Sequence, residues 1–110
     1  AAAAPLPPPA LTLYVLDSGG DSTDPAHAGE FDWIHADQIA WYRAASAARR
    51  EARAGSPPPA ALAFFHIPLP EFAAAGTQGE GKVGEMNEAV SSPEYNSGML
   101  DALVGEGEVK

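Results

Sequence analysis

Ala60-Ala61-Leu62-Ala63-Phe64-Phe65-His66-Ile67-Pro68-Leu69-Pro70-Glu71-Phe72 is the stretch that decides the fold. Its first half is a short apolar run, and two prolines stop any continuation. A strand is therefore expected over Ala60–Ile67, with a histidine at its carboxyl end. In an open α/β sheet that end is where ligands bind, and an imidazole there is placed to hold a metal or move a proton.

Upstream, Trp33 to Ala54 reads as a helix. Ile34, Gln38, Trp41, Ala45, Ala48 and Ala52 recur at helical spacing and predict one buried stripe, widened by Ile39 and Tyr42. Asp37 suits the start of such a helix, and Arg49, Arg50 and Arg53 suit its last turns, where the dipole favours cations. The basic cluster is expected to be a solvated helix end. Gly55 and Pro57-Pro58-Pro59 end the segment. Before it, Leu11–Asp17 (LTLYVLD) has no polar alternation and predicts a strand buried on both faces, as in a parallel sheet. Ser18–Gly29 between them is rich in turn residues. Strand, helix, strand in this order implies a right-handed parallel crossover, and the fold class is α/β.

Downstream, Phe72–Pro93 is rich in Gly and Glu without a clear period and is expected to be a long loop. Ser97–Val104 suits a short helix with Met99, Leu100, Leu103 and Val104 on one face, ended by Gly105. Glu108-Val109-Lys110 suits the start of a third strand. Ala1–Ala10, with four prolines, reads as a polyproline-type linker rather than a signal sequence.

The 110 residues suffice for one small domain with a modest core. The aromatics concentrate in Phe31–Tyr42 and Phe64–Phe72, so the core is expected around those segments. The formal charge is −9, and four of the six basic residues (Arg43, Arg49, Arg50, Arg53) lie together. That balance argues against nonspecific nucleic-acid or anionic-membrane binding. No cysteine is present, which excludes disulfides and thiolate metal sites. No apolar run approaches the roughly 20 residues of a membrane span.

Several of these pieces resemble one family. Leu13-Tyr14-Val15-Leu16-Asp17-Ser18-Gly19, then Trp33-Ile34 with Gln38 and Trp41, then Phe65-His66-Ile67-Pro68-Leu69-Pro70-Glu71, then Asn96-Ser97-Gly98 and Val109-Lys110 stand in the order of the calcineurin-like metallophosphoesterases. The resemblance is to the purple-acid-phosphatase-like branch that carries an HIPLPE motif. It implies that residues 11–110 are part of a four-layer α/β/β/α sandwich with two metal ions, divalent or mixed-valence (Fe, Zn or Mn), at the carboxyl ends of the strands. In that family the metals lower the pKa of a bridging water, and the hydroxide attacks phosphorus in line. The implied substrate is a phosphate ester, a phosphoprotein being one candidate. Of the family's metal motifs only the lone strand-end histidine has a counterpart, His66. The motifs that would precede Leu11 and the GHxH that would follow Lys110 are not in this segment. The chain is thus expected to be a piece of such an enzyme, binding no metal tightly by itself. Gly20 adds a residue to the family's compact turn, and Ala73–Ser92 matches no motif.

The resemblance places Glu71 and Asn96 near the active-site face, and Asp17 ends a strand on the same edge as His66. These three are candidate rim residues, although hydrogen bonding to the following turn also accounts for Asp17. His27 and His35 are expected to be solvated. Asp21 and Asp24 lack calcium-loop spacing. Trp33 and Trp41 are expected to pack between helix and sheet. The alternative reading is a non-catalytic α/β interaction module, a relic of a phosphatase. A third is a poorly folded piece, since two parallel strands need neighbours on both sides.

Overall fold

The computed structural model describes residues 10–53, 55–57, 59–78, 81 and 83–109. The Ala/Pro-rich start, apart from Ala10, lies outside them, as do Ala54 and Lys110. Strand β1 (Leu11–Val15) and strand β2 (Ala60–Phe64) pair in parallel, Leu11 opposite Ala60 through Val15 opposite Phe64. Helix α1 (Ala36–Ala52) connects them, so the expected strand–helix–strand α/β unit is present. Two shorter helices follow, α2 (Pro70–Gln78) and α3 (Met99–Glu106). Val109 then bridges Ala61 in parallel and Ala61 N–H donates to Glu108 O at 2.9 Å, so the third strand begins where the sequence indicates.

β1 is buried on one face, not both. Thr12, Tyr14 and Leu16 point inward, whereas Leu11, Leu13 and Val15 are exposed, Val15 by 76%. The outward residues are apolar too, and this hides the period-2 alternation that a half-buried strand normally shows. β2 repeats the pattern. Ala61, Ala63 and Phe65 face the core, and Leu62 and Phe64 face out. The inner face of β2 meets the core to which α1 and α3 also contribute.

Under these helices the core gathers Tyr14, Leu16, Ile34, Tyr42, Ala61, Leu69, Met99, Ala102 and Leu103. Fully burying a side chain such as Ile34 contributes about 1.5–3 kcal/mol. The phenylalanines expected in the core, Phe31, Phe64 and Phe72, are instead exposed. α1 starts three residues later than expected and is turned relative to the expected stripe. Its buried residues are Tyr42 and Ser46, with Ile39 and Ala45 half-buried, while Trp41 is 53% exposed and Ala48 and Ala52 lie outside. Alanines carry little phase information, so the hydroxyl-bearing Tyr42 and Ser46 set the rotation.

α2 corrects the expectation of a loop after Phe72. Pro70 opens that helix, as proline does at a first helical position, where its missing N–H costs nothing. α3 buries Met99, Ala102 and Leu103, but leaves Val104 exposed and Leu100 at the surface. It runs past Gly105 and ends at Gly107, which adopts φ +77° and donates its N–H to Leu103 O at 3.0 Å.

The arginines of α1 are not simply solvated. Arg49 Nη1 donates to the Tyr14 hydroxyl at 3.1 Å and its guanidinium lies 5.2 Å from the centre of that ring. Arg50 pairs with the Glu106 carboxylate, which also lies 3.6 Å from Arg43. Tyr14 in turn donates to the buried Glu108. The carboxyl-terminal half of α1 therefore anchors the segment that enters the third strand.

Candidate functional site

Because β1 and β2 are parallel, their carboxyl ends lie on one edge, and that edge carries the residues singled out by the sequence. Leu16 N–H donates to Phe64 O at 2.9 Å, extending the ladder by one step. Beyond it the two chains part, and side chains take over the hydrogen bonding. Ser18 is buried, and its Oγ accepts from the N–H of His66 at 3.1 Å and from that of Ile67 at 2.8 Å. Asp17 Oδ1 accepts from Gly19 N–H at 2.8 Å, which is the turn-holding role considered for it. Gln38, on the first turn of α1, holds the Asp17 backbone from both sides. Its Oε1 accepts from Asp17 N–H at 2.9 Å, and its Nε2 donates to Asp17 O.

His66 is exposed at the end of this arrangement. Its backbone is tied down through Ser18, and its ring makes no hydrogen bond to another described residue. Isoleucine 67 and Leu69 on either side of Pro68 are buried and pin the turn into the core. Glu71 and Asn96 are brought together, Asn96 Nδ2 donating to Glu71 Oε1 at 2.7 Å. Asn96 Oδ1 also accepts from Gly98 N–H at 2.9 Å, an Asx turn that sets the entry to α3. The second oxygen of Glu71, Oε2, is buried without a hydrogen-bond partner among the described residues.

Two hollows flank the edge. A cleft of about 1070 Å³ opens beside His66 over the outer face of the sheet, with Val15, Phe31, Phe64, Phe72 and Met86 in its walls. His66 and Glu88 are its ionisable lining groups. A smaller notch of about 260 Å³ lies over Asp17, Gly19, Asp32, His35, Asp37 and Gln38. Neither hollow has a lysine or arginine among its described lining residues, so these residues do not make a phosphate cradle by their own charge. The arginines stand toward the far end of α1, a helix roughly 25 Å long.

His27 and His35, expected to be solvated, belong to an aromatic cluster beside the notch. The Trp33 ring stacks on His35 (10° between planes, 5.3 Å between centres) and lies 4.6 Å from Tyr95, which is 5.0 Å from His27. His27 Nδ1 lies 2.7 Å from Glu30 Oε2, and His35 Nε2 lies 2.7 Å from Asp32 Oδ1. The bond to His27 is the main reason that the Glu30 carboxyl sits below its ordinary value. Partial burial pushes Asp32 upward, but the hydrogen bonds from His35 and from Trp33 N–H outweigh it and leave this carboxyl low. Trp33 therefore holds a surface cluster together instead of packing against the sheet, and Trp41 meets Tyr14 only edge-on at 6.4 Å. The Asp24 side chain caps the short 3-10 turn Pro25–His27, and the backbone of Asp21 bridges that of Phe31.

Comparison with known proteins gives the edge its context. The chain is 39% identical over 105 residues to "Probable inactive purple acid phosphatase 29" of Arabidopsis thaliana, covering 91% of this chain and 26% of that protein. The chain is similar to part of a protein named as a purple acid phosphatase. "Probable inactive purple acid phosphatase 14" of the same plant is 34% identical over 105 residues, with the same coverages. "Phosphatase DCR2" of Saccharomyces cerevisiae is 34% identical over 100 residues, covering 86% of this chain and 17% of that protein. The chain thus spans about a quarter of the length of the plant relatives and less of the yeast one. No protein-family model matches the chain, and no solved structure matches it.

The phosphatase relationship raises the question of metal. Among the described residues no three His, Asp or Glu side chains converge to hold an ion. The edge fits one donor, His66, whose ring is exposed and otherwise unengaged. Asp17, its neighbour on the edge, already accepts from the Gly19 N–H. No catalytic step is derived for these residues alone.

Sequence reasoning gave Ser18 no role of its own and placed Gln38 only in the helical stripe. Both sat inside the quoted motifs, but their partners are 48 and 21 positions away, and nothing local announces them.

Proposed function

We propose that this chain is one edge of a metal-dependent phosphoesterase, presenting His66 as a single donor to a site whose other donors lie outside the described residues. The exposed imidazole at the carboxyl edge of the parallel strands is the observation that carries this reading, and the relationship to phosphatases supports it. The charge of the edge is consistent with it as well. Asp17, Asp32 and Asp37 line the notch there, so a phosphate ester would be repelled unless cations were supplied. When bound, such cations would neutralise the ester oxygens and activate a water. The chain's own part is to hold one imidazole on a rigid strand end. The substrate class is a phosphate ester, with a phosphoprotein as one candidate.

The test uses the longest natural protein that carries this segment. Metal content by elemental analysis and hydrolysis of an aryl phosphate are measured for the wild type and for His66→Ala. Both should fall in the variant. Unchanged metal content in His66→Ala would refute the donor role.

A second reading is a non-catalytic α/β module, favoured by the names of the two plant relatives, each called probable inactive. It predicts a wild-type protein with the same fold and no turnover at any added cation concentration.

A further inference from the structure

We infer that Ser18 and Gln38 are positioning residues for His66, forming a hydrogen-bonded relay that runs from α1 through the end of β1 to the end of β2. This rests on the donor role of His66 for its functional meaning, but the relay itself is read from geometry.

The relay has three links. Gln38 is fixed on the first turn of α1 and grips both the N–H and the C=O of Asp17, so Asp17 can neither rotate its peptides nor slide along the strand. Asp17 closes the turn onto Gly19 through its own side chain. That leaves Ser18, between two held residues, with its hydroxyl buried and aimed at the other strand. There Oγ accepts two consecutive N–H groups, of His66 and of Ile67. These amides stand just past the end of the parallel ladder, beyond Phe65, where a strand would otherwise fray. Two adjacent N–H groups converging on one acceptor leave the peptides on either side of the His66 Cα little freedom. A ligand imidazole has to be held to within a few tenths of an ångström, and ligand-orienting partners of this kind typically change metal affinity about 10–100-fold when lost.

The test follows individual amides by NMR hydrogen exchange in the chain itself. Ser18→Ala should speed exchange at His66 and Ile67 by about tenfold or more, as two N–H groups lose their acceptor, while Tyr42 and Leu103 change far less. Ser18→Thr keeps the hydroxyl and should return the protection. Should Ser18→Ala lose the core altogether, Gln38→Ala reads the same strand end from a half-buried side chain, and faster exchange at the same two amides is expected. Equal changes at His66, Ile67, Tyr42 and Leu103, or none at the first two, would overturn the relay.

Its bearing on the metal is read separately with MnCl2. In the wild type, line broadening of the His66 ring protons should exceed that of His27 and His35, and Ser18→Ala should reduce the excess. Faster exchange without preferential broadening at His66 would leave the relay standing and refute the donor role. Preferential broadening that Ser18→Ala leaves unchanged would refute the positioning role.

Discussion

Replacing Tyr14 by phenylalanine tests whether the far end of the fold is held by a buried polar contact. Tyr14 is 1% exposed and donates to Glu108, which is 4% exposed. The ring itself would keep its edge-on contacts with Tyr42 at 4.8 Å and Trp41 at 6.4 Å, so little packing is lost. What changes is that the Glu108 carboxylate stays buried without its donor. A hydrogen bond to a charged group contributes about 1.5–3 kcal/mol. In a domain of this size that corresponds to a fall of roughly 6–24 °C in Tm. Arg49 also loses an acceptor, but it is exposed, and water replaces the hydroxyl there. Urea titration followed by tryptophan fluorescence measures the loss, with the slope unchanged. Glu108→Gln keeps an acceptor for Tyr14 and should cost little. Glu108→Ala removes the acceptor, and with it and Tyr14→Phe the four proteins form a cycle whose coupling should reach about 1 kcal/mol or more. A Tyr14→Phe protein within about 0.5 kcal/mol of the wild type, or a cycle without coupling, would show that Glu108 finds another partner and that the reasoning is wrong.

Gly19→Ala should destabilise by more than the roughly 1–2 kcal/mol of a left-handed backbone alone, because φ is +68° and the new Cβ would collide with the Asp32 carboxylate. Gly20→Ala, next to it and with nothing within 4 Å of its added Cβ, should stay within about 0.5 kcal/mol in the same urea assay. Urea midpoints should also fall at alkaline pH. Burial first, then Glu108, raises Tyr14 above its ordinary 10.0 and Tyr42 to about 12, so the unfolded chain gives up these protons sooner and stability drains from about pH 10 upward. On the acid side the lowered Glu30 and Asp32 contribute stability that is present above their ordinary 4.5 and 3.8 and is lost as pH falls further; Trp33 fluorescence in a Trp41→Phe background should report it. The outer face of the sheet, with Leu13 and Phe64 exposed, should drive association of the isolated chain, and Leu13→Glu with Phe64→Glu should reduce light scattering without lowering Tm.

The order strand, helix, strand was legible because prolines and glycines punctuate it, and Val109 because a β-branched residue follows a clear stop. The faces were not. A strand with leucine and valine outside and tyrosine inside reads as apolar throughout, and an alanine-rich helix reads as a stripe in nearly any phase. Pro70 stops a strand and starts a helix with equal ease, and only the chain that follows decides between them. Some of the missed chemistry was local. Glu30 lies three residues after His27, and Asp32 three before His35, spacings at which side chains meet in a turn. The rest was not local. The Arg50–Glu106 pair is 56 residues apart in sequence and Tyr14–Glu108 is 94 apart, so the basic cluster appeared solvated until α3 was in place.

The pieces that resemble the phosphoesterases turn out to be one another's hydrogen-bond partners. Gln38 grips Asp17, Ser18 of the same LDSG turn holds His66 and Ile67, and Asn96 holds Glu71. These residues are therefore sufficient to account for each other structurally, and they serve the scaffold whether or not catalysis survives. Relatives named as probable inactive fit that distinction. The His66 side chain is exposed, and its ring makes no hydrogen bond to another described residue. Replacing it should leave folding nearly untouched, which is why metal content in the longest natural chain, and not stability, decides whether this edge belongs to a working phosphatase.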